Sequence, residues 1–203
     1  MQRSVGRRVR QYRIISELEA NPLLTDQELA GRLSVSVSTV RLDRAMLGIP
    51  EVRERMRSMA NQAGSRLRSL KREEVIGELL DLQPGEWALS TLQVSREMAF
   101  RHTDYASDHY IYAMASSLAI AVIEADMVVT GSARVRFRFP AKVGERLVAR
   151  AKVGTKKGNK NVVSVRIRVG EQEIFVGRFI TVEKECQDGT PAQGRGEASV
   201  AGS

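Results

Sequence analysis

The spacing of apolar residues changes twice along this chain. From Arg7 to Leu47 they recur every three or four positions in short bursts, the period of amphipathic helices. Val9, Ile14, Ile15 and Leu18 stripe a first helix, which Asn21-Pro22 ends. Thr25-Asp26-Gln27-Glu28 has the form of a capping box. It predicts a brief second helix packed through Leu29, Ala30 and Leu33. After the tight connection Ser34-Val35-Ser36, Ser36 caps a third helix that runs to about Leu47, with Gly48 as its C′ residue. Val35, Val37, Val40, Leu42 and Leu47 are expected inside. Pro50, followed by Glu51 and Glu54, opens a fourth helix. Its apolar residues, Val52, Met56, Met59, Ala63, Leu67 and Leu70, alternate near three and four and form a heptad-like seam that needs a partner.

Beyond Glu73 the period falls to two. Glu74 to Leu82 and Trp87 to Val94 read as strands around Pro84-Gly85. Asp108 to Ile123 is apolar nearly all round, which predicts a helix buried on every side. Strict alternation follows. Val135, Phe137 and Phe139 face one way, and Arg134, Arg136 and Arg138 the other. Leu147 to Val153 and Val163 to Val169 repeat the pattern, Gly170-Glu171 suits a two-residue hairpin, and Phe175 to Val182 closes the sheet. The order is two strands, a buried helix and four antiparallel strands, the hot-dog arrangement of one sheet wrapped around one helix. The fold class is therefore α+β. Its predicted parts are a helix-turn-helix over 1–49, an amphipathic linker helix over 50–72 and a hot-dog domain over 73–185. The polar, glycine- and alanine-rich segment 186–203 is expected to be disordered.

Charge sharpens the picture. The 203 residues carry a net charge of +8, an excess that suggests a polyanionic partner. The lone cysteine, Cys186, permits no disulfide within one chain and fits a reducing compartment. No signal peptide opens the sequence, and the apolar run from Tyr110 to Ile123 is too short to span a bilayer. The expected location is the cytoplasm, away from membranes. Two scattered histidines and one cysteine supply no metal ligand set.

The second and third helices, joined by a tight turn, form a helix-turn-helix, whose second helix reads the major groove of duplex DNA. Ser36, Ser38 and Thr39 sit near its start, where short hydroxyls reach phosphates or base edges. Arg41 and Arg44 follow, able to fork onto guanine or clamp the backbone. Thr25, at the start of the second helix, joins this candidate set. Arg7, Arg8 and Arg10, with Arg3 and Arg13, add charge for phosphates.

The stretch TDQELAGRLSVSVSTVRLDRAMLGIPEVRERM resembles the N-terminal domain of DeoR-type regulators and, within them, the FapR family of repressors of fatty acid and phospholipid synthesis. EEVIGELLDL, HYIYAMASSLAIAVI and GERLVARAKV match that family's ligand domain in order and spacing. The resemblance covers about Arg7 to Val182. It implies a homodimer with a winged-type helix-turn-helix and a hot-dog effector domain. Malonyl-CoA, its pantetheine arm between protomers, would release the operator, and no cofactor is implied. The resemblance also explains the unpaired seam: Met56, Met59, Ala63 and Leu67 would exchange partners between the DNA-bound and ligand-bound states.

Phe100, Ser107, Asp108 and Ser116 are the candidate effector residues, and here the sequence departs from the family. Where the family carries an Arg-Gly pair before the central helix, this chain has Ser107-Asp108, and a family asparagine is replaced by Ser116. Serine cannot replace a bidentate guanidinium, and Asp108 would repel a malonyl carboxylate. Arg96 or Arg101 could supply the charge instead. Otherwise the effector is another acyl-CoA, or the response is lost and the pocket is vestigial. The basic loop of Lys156, Lys157 and Lys160 could meet CoA phosphates or be a solvated hairpin tip. Catalysis is not expected. The alternative reading is an acyl-CoA thioesterase fused to a DNA-binding domain, with Asp104, Asp108 and His109 as its candidate groups.

Overall fold

The computed structural model describes residues 6–185; Arg3, Cys186 and the segment expected to be disordered lie outside them. The first helices form where the caps and periodicity place them: α1 (Arg7–Ala20), α2 (Asp26–Leu33) and α3 (Val37–Met46). The Thr25 hydroxyl accepts from the Glu28 N–H at 3.2 Å, and the Glu28 carboxylate accepts from the Thr25 N–H at 2.7 Å, the two halves of a capping box. Ser36 caps α3 through the Thr39 N–H at 3.1 Å. Ile14, Leu18, Leu24, Leu29, Ala30, Leu33 and Val40 make the small core of this unit. Val9 and Leu42, expected inside, are exposed. Leu42 lies two residues after the buried Val40, about 200° around the helix and so on its far side.

The linker helix is shorter than its seam. α4 spans Val52–Gly64, ending where glycine and serine, poor helix formers, meet. The Ser65 hydroxyl donates to the Gln62 carbonyl at 2.8 Å and closes the last turn. Leu67 and Leu70 lie beyond the helix and pack on the hot-dog core. The sheet starts later than the pattern suggested, with β1 (Glu78–Gln83) and β2 (Trp87–Gln93). Before β1, Gly77 turns at φ +92° so close to the neighbouring strand that a Cβ would stand 2.5 Å from the Thr91 carbonyl oxygen. α5 (Asp108–Ala121) is the buried helix. β3 (Val128–Phe137), β4 (Arg146–Lys157), β5 (Lys160–Val169) and β6 (Gln172–Glu183) complete one antiparallel sheet in the order β1-β2-β4-β5-β6-β3.

α5 lies against the inner face of the sheet, where Leu147, Ala149, Ala151, Val163, Val165, Ile167, Phe175 and Phe179 are fully buried. Gly177 sits between the last two on β6, and a Cβ there would come within 2.6 Å of the Phe179 ring. The outer face is basic. Arg134 stands directly opposite Arg178, and Arg166 directly opposite Arg150, like-charge cross-strand pairs that each weaken the sheet. Glu173 is the acid that answers this face, pairing with Arg166 at 3.1 Å and Arg138 at 3.0 Å.

Candidate functional site

Three places carry the candidate residues: α3, a cleft beside α5, and α4 between them. On α3 the hydroxyls of Ser38 and Thr39 each lie 2.8 Å from the Ser36 hydroxyl, a polar cluster at the helix start. Arg41 is exposed, with Nε 3.4 Å from Asp26. It shares the outward stripe with Ser38, Leu42 and Ala45. Arg8 is exposed on α1, and the guanidinium of Arg7 lies against the Met46 sulfur at the far end of α3.

Arg44 is elsewhere. It is 5% exposed, donating to Asp26 at 2.9 Å and to the Ile49 carbonyl at 2.7 Å. It therefore fastens α3 to α2 and to the chain leading into α4, and does not face outward as expected. The helix period gives the reason: Val37, Val40, Arg44 and Leu47 fall at i, i+3, i+7 and i+10, on the inward stripe. Asp43, which the sequence reading passed over, is 1% exposed and takes Arg10 and Gln11 of α1 as partners. The Arg10 hydrogen bond, opposed in part by burial, holds its carboxyl below the ordinary value. Arg10 is thus committed to the fold, and Thr25 to its cap.

The cleft lies between the loop after Ala99, the start of α5 and the end of β3. The loop is clipped down by the Phe100 N–H on the Tyr105 carbonyl at 3.0 Å and the Ala106 N–H on the Ala141 carbonyl at 2.7 Å. The volume is about 460 Å³, and the walls are mainly Phe100, Tyr105, Ile111, Phe137, Phe139 and Pro140. Asp108 and Arg138 are its charged lining residues. Phe137 and Phe139, at and just past the end of the edge strand β3, are 42% and 50% exposed. Of the predicted effector residues, Phe100 and Asp108 line the cleft. Ser107, buried at the N-cap of α5, places its hydroxyl 2.6 Å from His109 Nδ1, and Ser116 is half-buried further along the helix, outside the lining. Arg96 pairs with Asp104 outside the lining, and Arg101 is exposed. The arginine that lines the cleft is Arg138, which alternation alone assigned to the opposite face from Phe137. Lys156 is held at 2.8 Å by Glu183, whose carboxyl the hydrogen bonds from Lys156 and Asn161 keep below its ordinary value.

α4 is tied at both ends. Arg55 donates to the Pro22 carbonyl at 3.1 Å, the Leu24 carbonyl at 2.7 Å and the Pro50 carbonyl at 2.6 Å. Burial, and then the nearby Arg44 charge, pull the Arg55 guanidinium below its ordinary value, although arginine stays charged. Met56, Ala60 and Ala63 are buried and Met59 is half-buried, with α4 lying against β1. Just past the helix, Arg66 donates to the Leu82 carbonyl at 2.9 Å. Ala60, absent from the predicted seam, is fully buried. Nothing in the spacing of Arg55 distinguishes it from Arg53 and Arg57, which are exposed.

Comparison with known proteins joins the two halves. Residues 7–41 match the winged helix-turn-helix DNA-binding family and residues 106–176 the thioesterase superfamily. The transcription factor FapR of Thermoanaerobacter sp. (strain X514) is 44% identical over 176 residues, which cover 86% of this chain and 88% of that protein. The FapR of Bacillus subtilis (strain 168) is 43% identical over 177 residues, covering 86% and 94%. The chain belongs to the FapR family of transcription factors. The FapR relatives are named as transcription factors and not as enzymes, although residues 106–176 match the thioesterase superfamily. Two solved structures are each similar over part of this chain. An uncharacterized protein of Pyrococcus horikoshii is 28% identical at TM-score 0.54, covering 59% of this chain and 92% of its own. A sigma28-regulated virulence protein of Campylobacter jejuni, at TM-score 0.56 and 23% identity, covers 65% and 92% and shares the fold. Among the described residues no group of acidic, histidine or cysteine side chains could hold a metal ion, and no helix is long and apolar enough to cross a membrane.

Proposed function

We propose that this protein is a cytoplasmic repressor of fatty acid and phospholipid synthesis genes. It grips operator DNA as a homodimer through α3 and releases it when an acyl-CoA thioester enters the hot-dog cleft. The observation that carries this reading is the double attachment of α4. Arg55 binds it to the helix-turn-helix, while the helix lies against β1 and Ala63 enters the hot-dog core. A helix held by both units can pass a change in one to the other, which is what coupling between two sites requires. Release of the seam from β1 would free Met56, Met59 and Ala63 for other partners, with Leu67 beside them on the hot-dog core. A second copy laid along the outermost strand would cover Phe137 and Phe139 and close the open side of the cleft.

The cleft also bears on which acyl-CoA fits. Its volume suits a small ligand, and its walls are mostly apolar and aromatic. A malonyl carboxylate would meet Asp108, and like charges about 4 Å apart repel by about 1 kcal/mol in water and by several times that where water is partly excluded. Arg138, already engaged by Glu173 at 3.0 Å, is the cation available to offset this. Neutral acyl-CoAs escape the penalty. Anisotropy of a labelled operator, titrated with acetyl-, malonyl- and longer acyl-CoAs, tests the reading. Neutral esters are expected to release DNA at lower concentration than malonyl-CoA. The double change Ser107→Arg with Asp108→Gly should strengthen the malonyl response about tenfold, the scale of one charge-assisted pair. Release by malonyl-CoA below every neutral ester, in the parent and in Arg138→Ala alike, overturns the acyl assignment. If no CoA ester alters DNA binding, the sensor reading fails.

A further inference from the structure

α3 presents one buried stripe and one exposed stripe. The inward one, Val40, Asp43 and Arg44, is buried. The outward one, Ser38, Arg41, Leu42 and Ala45, recurs at i, i+3, i+4 and i+7 and is exposed. Within it, Leu42 has no polar function, lies outside the buried core and is 62% exposed. A single exposed leucine is unremarked on most surfaces. This one stands beside Arg41, on the face that a helix-turn-helix turns toward the major groove. The edge of a base pair there offers one apolar group, the C5-methyl of thymine. Ala45, one turn on, is small enough to let the helix approach. Met46, also exposed, is different, because Arg7 lies against its sulfur.

We infer that Leu42 is a specificity-determining residue that reads thymine methyl groups in each operator half-site, beside the polar contacts of Ser38 and Arg41. The inference rests on the DNA-binding reading and adds to it a base and an atom. It gives a hydrocarbon side chain on a solvated stripe an apolar partner in the complex, at the cost of leaving it in water when the protein is free.

Deoxyuridine pairs as thymidine does and lacks only the methyl group, so it isolates the contact. Duplexes are first selected from a random pool with the full-length protein. Each thymine of the selected half-site is then replaced in turn by deoxyuridine, and affinity is measured by anisotropy. For the parent, one or two positions should lose about fourfold, the scale of burying one methyl group. Leu42→Ala should bind the thymine duplex about fourfold more weakly and lose its sensitivity at those positions. Arg41→Ala should bind more weakly everywhere and keep that sensitivity. Because Leu42 lies outside the core, the thermal midpoint of Leu42→Ala should match the parent's, which separates a lost contact from a lost fold. Parent affinity unchanged by every deoxyuridine, or full sensitivity retained in Leu42→Ala, overturns the inference while leaving DNA binding intact. A pool that yields no preferred sequence overturns both.

Discussion

The two halves of this protein hold their shape by different means. The hot-dog domain encloses a continuous apolar core from Val75 to Phe179, and its buried polar side chains, such as Thr91, Asn161 and Thr181, are all neutral. The helix-turn-helix has a handful of buried apolar residues. Among the described residues the buried charged side chains are Asp43 and Arg44, both on α3. One is tied to α1 and the other to α2. A small helical unit cannot bury enough apolar surface to fix the rotation of each helix. Here two adjacent charges on its buried side do so, each fastening α3 to a different helix. Buried ion pairs are weak evidence for net stability but can specify one arrangement over others. The lesson is that this domain spends charge on aiming its recognition helix.

The largest effect that would separate the two designs comes from the apolar core. Phe175→Ala should lower the stability of the hot-dog domain by about 3–5 kcal/mol, read as a shift in the denaturant midpoint. A loss well under 2 kcal/mol would mean the core is less tightly packed around Phe175 than its full burial implies.

Next is Arg44→Ala, which leaves Asp26 and the Ile49 carbonyl without their donor at a cost of about 3 kcal/mol. Its operator affinity should fall, yet the slope of affinity against salt should stay unchanged, because Arg44 is committed to Asp26 at 2.9 Å. A slope reduced by about one would return Arg44 to the phosphate backbone. Asp26→Leu with Arg44→Met, which removes both charges, should recover much of the stability.

The smallest effect is a matter of pH. The carboxyl of Asp43 is held below its ordinary value of 3.8, chiefly by Arg10. The stability this pair contributes is therefore fully present above pH 3.8 and is lost as the pH falls through the lower, folded value. Asp43→Asn should flatten the acid side of the stability profile of the helix-turn-helix. A profile unchanged by that substitution would remove Asp43 from the account.

Most of the architecture was legible because it rests on local rules. Capping at Thr25 and Ser36, the glycine turn at Gly170 and the period-two strands each require only neighbouring residues. What was misplaced depends on position within a larger object. Leu42 and Arg44 were sorted by residue type, where helix phase would have sorted them correctly: Leu42 is two residues from Val40 and Arg44 is four. Phe137 and Phe139 alternate as core residues do, yet they stand at and just past the end of the edge strand β3, which no local pattern states. The Arg55 contacts and the arrival of Arg138 at the cleft depend on distant segments meeting, and spacing alone gave no sign of either. Of the candidate effector residues, Phe100 and Asp108 were placed by resemblance and do line the cleft, whereas the buried Ser107 hydroxyl meets His109 Nδ1.

The facing arginines on the outer sheet have a consequence for how the protein meets changing ionic conditions. Arg134 against Arg178, and Arg166 against Arg150, are repulsions that dissolved ions relieve, since screening acts within about 10 Å at ordinary salt. The grip on DNA, built from arginines and phosphates, loosens under the same ions. Concentrated electrolyte therefore favours the sheet and opposes the complex, so that on this face conditions of tightest DNA binding coincide with those of greatest internal electrostatic strain.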